Sequence, residues 1–95
     1  MSILKKVQHL YSAGGVVYRE EERNIYFVIC GRKSPMCWNL PKGTPVENET
    51  REQTAAREVQ EETGLEVKIE GFINSIKYWF VETKTGDRFA KSVFF

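Results

Sequence analysis

Apolar residues come along this chain in short blocks, divided by charged or glycine-bearing stretches. Tyr11-Ser-Ala-Gly-Gly-Val-Val-Tyr-Arg19 is β-rich around a glycine pair, and adjacent glycines in a strand mark a bulge or a close backbone approach. The charged run Glu20-Glu-Glu-Arg-Asn24 predicts a solvated turn. Ile25-Tyr-Phe-Val-Ile-Cys30 is a continuous apolar run of strand length, the pattern of a central, buried strand. Together these segments predict a hairpin.

Residues 31–43 hold two prolines and two glycines and predict a loop. Glu49 to Glu62 predicts the chain's helix. Thr50 is a good N-cap, Gln53 three residues on completes a capping box, and Gly64 suits the left-handed position past the last turn. Glu66 to Glu82, rich in Val, Ile, Phe, Tyr and Trp, predicts one long strand or two short ones. A turn over Thr83 to Arg88 and a strand from Phe89 to Phe95 follow. Strand, strand, helix, strands describes an α+β domain with a mixed sheet, occupying residues 1–95 as a single unit. The last four residues, Ser92-Val-Phe-Phe95, stop within an apolar strand. That ending is expected of a fragment, or of a sheet completed by a homodimer or strand exchange.

Composition narrows the function. With 14 Lys and Arg against 13 Asp and Glu, the formal charge is +1, which argues against a DNA-coating protein. No apolar run approaches the roughly 20 residues of a membrane helix, and the N-terminus has no signal-peptide core. The expected setting is cytoplasmic. Two cysteines, Cys30 and Cys37, and one histidine, His9, are too few soft ligands for structural zinc. The cysteines read as small core or loop residues and His9 as a surface residue before the first strand. Charge is unevenly placed: five carboxylates lie between Glu49 and Glu62, while Arg32, Lys33 and Lys42 form a basic stretch.

The helix carries those carboxylates in a costly way. At about 100° per residue, Glu61 lies roughly −60° and Glu62 roughly +40° from Glu58, so all three share one face. Like charges at these spacings repel, and they crowd the end where the helix dipole disfavours anions. Ala55, Ala56 and Val59 alone offer apolar packing. Local choices that oppose stability mark functional sites. A solvated acidic surface, relieved by Arg57, is the plain alternative. Clustered carboxylates are also what a hard divalent cation requires.

From Gly43 the sequence runs Gly-Thr-Pro-Val-Glu-Asn-Glu-Thr-Arg-Glu-Gln-Thr-Ala-Ala-Arg-Glu-Val-Gln-Glu-Glu-Thr-Gly-Leu65. It resembles the Nudix box at each defining position: Gly43, Glu49, Arg57-Glu58, apolar Val59, Glu61-Glu62, Gly64 and apolar Leu65. The flanks Ser12-Ala-Gly-Gly-Val-Val-Tyr18 and Trp38-Asn-Leu-Pro-Lys-Gly43 also look like Nudix hydrolases. The resemblance implies a Nudix fold, a mixed sheet between helices with a catalytic loop–helix–loop, here lacking the family's C-terminal strands and helix. Two box positions depart from the usual pattern. Val46 stands where an acidic residue is common, with the acid shifted to Glu47, and Asn48 replaces a glycine. Asn tolerates a left-handed backbone, so the turn is expected to survive.

What the resemblance implies for chemistry is specific. Glu58, Glu61 and Glu62, with the Gly43 carbonyl, would hold magnesium, or manganese in its place. Glu58, Glu61 and Arg57 would be catalytic, with Glu61 doubling as general base and Glu82 a weaker candidate for that role. Arg57 and Glu49 would support the ligands from behind, a simple surface ion pair being the alternative. Lys42 would meet a phosphate. Arg32 and Lys33 are read as solvated charge, a second basic edge being the alternative. Among Nudix groups the chain looks most like hydrolases of diadenosine tetraphosphate and related dinucleoside polyphosphates, which would make Tyr78 a base platform; core packing is the competing role for these aromatics. The expected activity is magnesium-dependent hydrolysis of a phosphoanhydride in such a nucleotide. The alternatives are an oxidised nucleotide, a nucleotide sugar or an RNA 5′ end as substrate, or a nucleotide-binding module without turnover.

Overall fold

A computed structural model describes residues 6–95. Nine elements follow in order: β1 (Val7–Gly14), β2 (Tyr18–Glu21), β3 (Asn24–Phe27), β4 (Cys30–Lys33), β5 (Met36–Asn39), β6 (Lys42–Gly43), α1 (Arg51–Thr63), β7 (Ser75–Val81) and β8 (Arg88–Phe94). The main sheet has the order β6-β1-β8-β7 and is mixed. β1 and β8 run parallel from Val7↔Arg88 to Ala13↔Phe94, while β6 and β7 pair antiparallel with β1 and β8. The expected α+β architecture is present. No helix among the described residues is long and apolar enough to cross a membrane.

α1 packs on one face of this sheet through Thr54, Ala55 and Val59, against β1 and β6. The core is small: Ala13, Ala55, Val59, Ala90 and Val93 are its buried apolar residues. The glycine pair shows why it stands where it does. A Cβ on Gly14 would overlap the Pro41 carbonyl and Lys42, and the Gly15 N–H donates to that carbonyl at 3.1 Å. The predicted close approach therefore brings β6, and with it Gly43, to the edge of β1.

Several expected elements differ. The first strand starts at Val7, so exposed His9 lies within it. It ends at Gly14, and the predicted hairpin forms only further on, as β2 with β3. The run from Ile25 is not central. Ile25 and Phe27 are 57% and 61% exposed, because β2 and β3 pair only with each other among the described strands. An apolar run reports strand tendency, but burial needs a second layer, and no described element buries this hairpin. The 31–43 loop contains a further hairpin, β4 with β5, in which the Trp38 ring lies against Gly31. Strand structure in 66–82 is confined to β7. Both hairpins stand off the core, and the radius of gyration is 16.2 Å against about 12 Å for a compact chain of this length.

Candidate active site

The turn into α1 is built as its residues dictate. Asn48 adopts φ 65°, the left-handed conformation that Asn accepts more readily than most residues. Thr50 caps the helix, its hydroxyl accepting from the Gln53 N–H at 3.1 Å while the Thr50 N–H donates to the Gln53 side chain at 2.9 Å. At the other end Gly64 has φ 75° and donates its N–H to the Gln60 carbonyl. The helix thus begins and ends where the capping residues require.

Arg57 is the centre of the site. Its Nε donates to Glu49 Oε2 at 2.7 Å and its Nη2 to Glu49 Oε1 at 3.0 Å, a two-pronged ion pair. Nη2 also donates to the Thr44 carbonyl at 2.9 Å. Nη1 donates to Glu58 Oε1 at 2.9 Å and to the Glu61 carboxylate at 3.1 and 3.2 Å. A guanidinium has five N–H donors, and each finds an acceptor here. Glu49 receives the Val46 N–H and the Thr54 hydroxyl as well, at 3.1 and 2.7 Å. Arg57, followed by Thr54, holds the Glu49 carboxyl far below its ordinary value of 4.5, at about 2. The same pairing with Glu49 pushes the Arg57 guanidinium still higher. This is a fixed frame, not a loose surface pair.

Glu58 lies against Gly43: a Cβ there would fall on the Glu58 carboxylate. Glycine at this position is therefore a condition for bringing the carboxylate to the β6 backbone. Glu61 is more open, with its side chain 59% exposed against 14% for Glu58. Glu62 meets the neighbouring residue of β6. Its Oε2 accepts the Lys42 N–H at 3.1 Å and lies 4.0 Å from the Cys30 sulfur. Consequently, among the described residues no three acidic, histidine or cysteine side chains gather closely enough to hold an ion. Glu62 meets the Lys42 N–H, next to the Gly43 backbone that Glu58 lies against, while the Arg57 fork joins Glu58 and Glu61, so the expected convergence of three carboxylates is drawn together only in part.

The donor set still suits a hard divalent cation. Glu58 and Glu61 already share one cationic nitrogen. Glu49, Glu58 and Glu61 bring three carboxylates to a single guanidinium charge, an excess of two negative charges if all are ionised. Oxygen donors with that excess suit a hard divalent cation rather than a soft one.

Beside the helix end lies an open cleft of about 320 Å³, lined by Cys30, Gly31, Arg32, Asn39, Leu40, Lys42 and Glu62. It places Arg32 and Lys42 near Glu62. Cys30 and Cys37 are free thiols; burial, then Glu62, pushes the Cys30 thiol up. Tyr78 is not brought to this site. It sits on β7, three strands across from β6, or about 14 Å at the usual strand spacing. Its register with Lys91 and Leu10 puts it on the face opposite α1, where it neighbours Phe80 and, through it, stacked Phe89.

The family model for the NUDIX domain matches residues 8–95. The chain belongs to the NUDIX domain family. It is 39% identical to a putative mutator protein MutT4 of Mycobacterium tuberculosis, over 77% of this chain and 32% of that protein. It is 40% identical to a MutT-like protein of Streptomyces ambofaciens, over 65% and 38%. The chain thus spans about a third of the length of the curated relatives it matches. A C. elegans Ap4A hydrolase shares the fold, with TM-score 0.60 and 23% identity over 90% of this chain and 64% of that one. A binary complex of a C. elegans Ap4A hydrolase gives TM-score 0.61 and 23% identity, over 90% and 63%.

Two contributors to this Nudix site were not singled out by the sequence pattern, Thr54 and the Thr44 carbonyl. Thr54 had a readable signal, since a threonine on the apolar face of a helix needs a partner. The carbonyl had none.

Proposed function

We propose that this Nudix domain hydrolyses a phosphoanhydride bond in a nucleoside diphosphate derivative with the help of magnesium, and that its preferred substrates are dinucleoside polyphosphates such as diadenosine tetraphosphate. The observation that carries the reading is the fully used Arg57 guanidinium, whose Nη1 is shared by Glu58 and Glu61 while Glu58 lies against the Gly43 backbone. Glu58, Glu61 and the Gly43 carbonyl would hold the ion, and Glu62 would join them by giving up its bond to the Lys42 N–H. A bound magnesium supplies neutralisation of charge on phosphate oxygens and acidification of water.

The chain's own residues do the rest. Arg57 keeps the two carboxylates from separating and offsets part of their repulsion. Glu61, the more exposed of the pair, is the carboxylate open to a water and takes its proton as the water oxygen bonds to phosphorus and the bridging P–O bond breaks, its electron pair leaving on the departing phosphate. Lys42 and Arg32 flank the cleft, where cations meet the polyphosphate. Tyr78 is left to the aromatic cluster on the opposite face. The preference for dinucleoside polyphosphates rests on the Trp38-Asn-Leu-Pro-Lys-Gly43 approach to the box.

The test is a nucleotide-release assay with magnesium across diadenosine tetraphosphate, an oxidised nucleoside triphosphate, a nucleotide sugar and a capped RNA. Fastest turnover of the dinucleoside polyphosphate, lost in Glu61→Gln, is the expected result. Preference for another member overturns the substrate. Binding without hydrolysis of any of them overturns the enzyme reading in favour of a nucleotide-binding module.

A further inference from the structure

We propose that Thr54 is a positioning residue for this site: its buried hydroxyl anchors the Glu49 carboxylate, which fixes the plane of the Arg57 guanidinium and thereby the placement of Glu58 and Glu61. The inference rests on the phosphoanhydride hydrolysis proposed above for its kinetic consequence, but not for its structural one.

Thr54 is fully buried on the packing face of α1, where valine would fill the same space without a polar atom to satisfy. Its Oγ1 has two acceptors within reach, Glu49 Oε1 at 2.7 Å and the Thr50 carbonyl at 3.0 Å, and only one proton to give. The carbonyl already accepts the Thr54 N–H at 2.9 Å. The carboxylate is the nearer acceptor and the charged one, so it takes the hydroxyl proton. Glu49 also has bonds from Val46 and Arg57. Val46 belongs to the loop before the helix, and Arg57 is a long side chain that Glu49 itself orients. Of these donors, Thr54 is the one seated in the core. It therefore ties the frame of the site to the packed body of the helix. With Glu49 free to shift, the Arg57 fork turns with it, and the Nη1 prong no longer meets both Glu58 and Glu61.

The experiment compares the full chain with Thr54→Val and Thr54→Ser. Three quantities are read: the Glu49 side-chain carboxyl titration by NMR, the magnesium midpoint by NMR without substrate, and kcat and KM on diadenosine tetraphosphate. In Thr54→Val the Glu49 midpoint moves upward and magnesium affinity falls about tenfold, the lower end for residues that support metal ligands. kcat falls about as much while KM stays within about twofold, and Thr54→Ser restores all three. A Thr54→Val protein that loses thermal stability but keeps the Glu49 midpoint and the magnesium affinity overturns the proposal, since the hydroxyl would then serve packing alone. Should valine prevent folding, Thr54→Ala removes the same hydroxyl and is read the same way. If the parent chain hydrolyses none of the nucleotides, the functional reading fails, and the Glu49 midpoint together with the magnesium midpoint still decides the role of Thr54.

Discussion

The segment from Lys42 to Gly64 and the paired hairpins β2–β3 and β4–β5 are both built from short-range sequence signals, yet they end in opposite conditions. In the first, caps, turn and ion pairs close on one another, and each Arg57 donor is used. In the second, strands pair correctly while Ile25, Phe27 and Trp38 remain 57%, 61% and 63% exposed. Polar organisation can be completed within some twenty residues, because charges and caps find partners locally. Apolar burial cannot, since it needs a second surface. The site is therefore the more fully specified part of the molecule, although its helix carries repelling carboxylates.

The comparison can be broken most strongly at the carboxylates. Glu61→Gln should lower magnesium-dependent hydrolysis about 10²- to 10⁴-fold, the usual worth of a positioned acid–base group, with circular dichroism unchanged. Next comes the frame. Arg57→Lys has three donors in place of five, cannot serve Glu49, Glu58, Glu61 and Thr44 together, and should weaken magnesium binding about 10- to 100-fold by calorimetry. Gly43→Ala attacks the same geometry from the β6 side by displacing Glu58, and its activity should fall while Gly64→Ala, with nothing near its Cβ position, should lower only stability.

The smaller effects separate packed from unpacked apolar residues. Val59→Ala, at a side chain 1% exposed, should cost about 2 kcal/mol in urea unfolding. Ile25→Ala, on the open hairpin, should stay within about 0.5 kcal/mol. Acid provides a graded probe of the frame. The Glu49 carboxyl is depressed from 4.5 to about 2 in the fold, so its stabilisation is fully present above about 4.5 and is lost as pH falls towards 2. Denaturation midpoints measured between those values should decline with acid, and Glu49→Gln should remove that part of the slope.

Sequence reading reached the site further than the sheet. Thr50, Gln53, Asn48, Gly64 and the Gly14 close approach were legible because each depends on a few neighbouring backbone groups. The α+β class and mixed sheet also followed from element order, and the Nudix box was recognisable from spacing alone. The exposure of Ile25, Tyr26, Phe27 and Ile29 was not legible, since periodicity does not say whether a covering layer exists. The parallel β1–β8 pairing joins residues some eighty positions apart, beyond any local signal. Glu62 shared the predicted helix face with Glu58 but turned to the Lys42 N–H, a donor whose position depends on β6. Tyr78 was readable as strand-face aromatic, whereas the face it occupies relative to α1 depends on that same long-range register.

The most direct measurement is a titration of the isotopically labelled chain with manganese, followed through paramagnetic broadening. The account predicts that substoichiometric manganese first erases the signals of Gly43, Glu58 and Glu61, that magnesium in excess restores them, and that Glu58→Gln abolishes the effect. Broadening that spares these residues, or spreads evenly over the acidic surface, would contradict it.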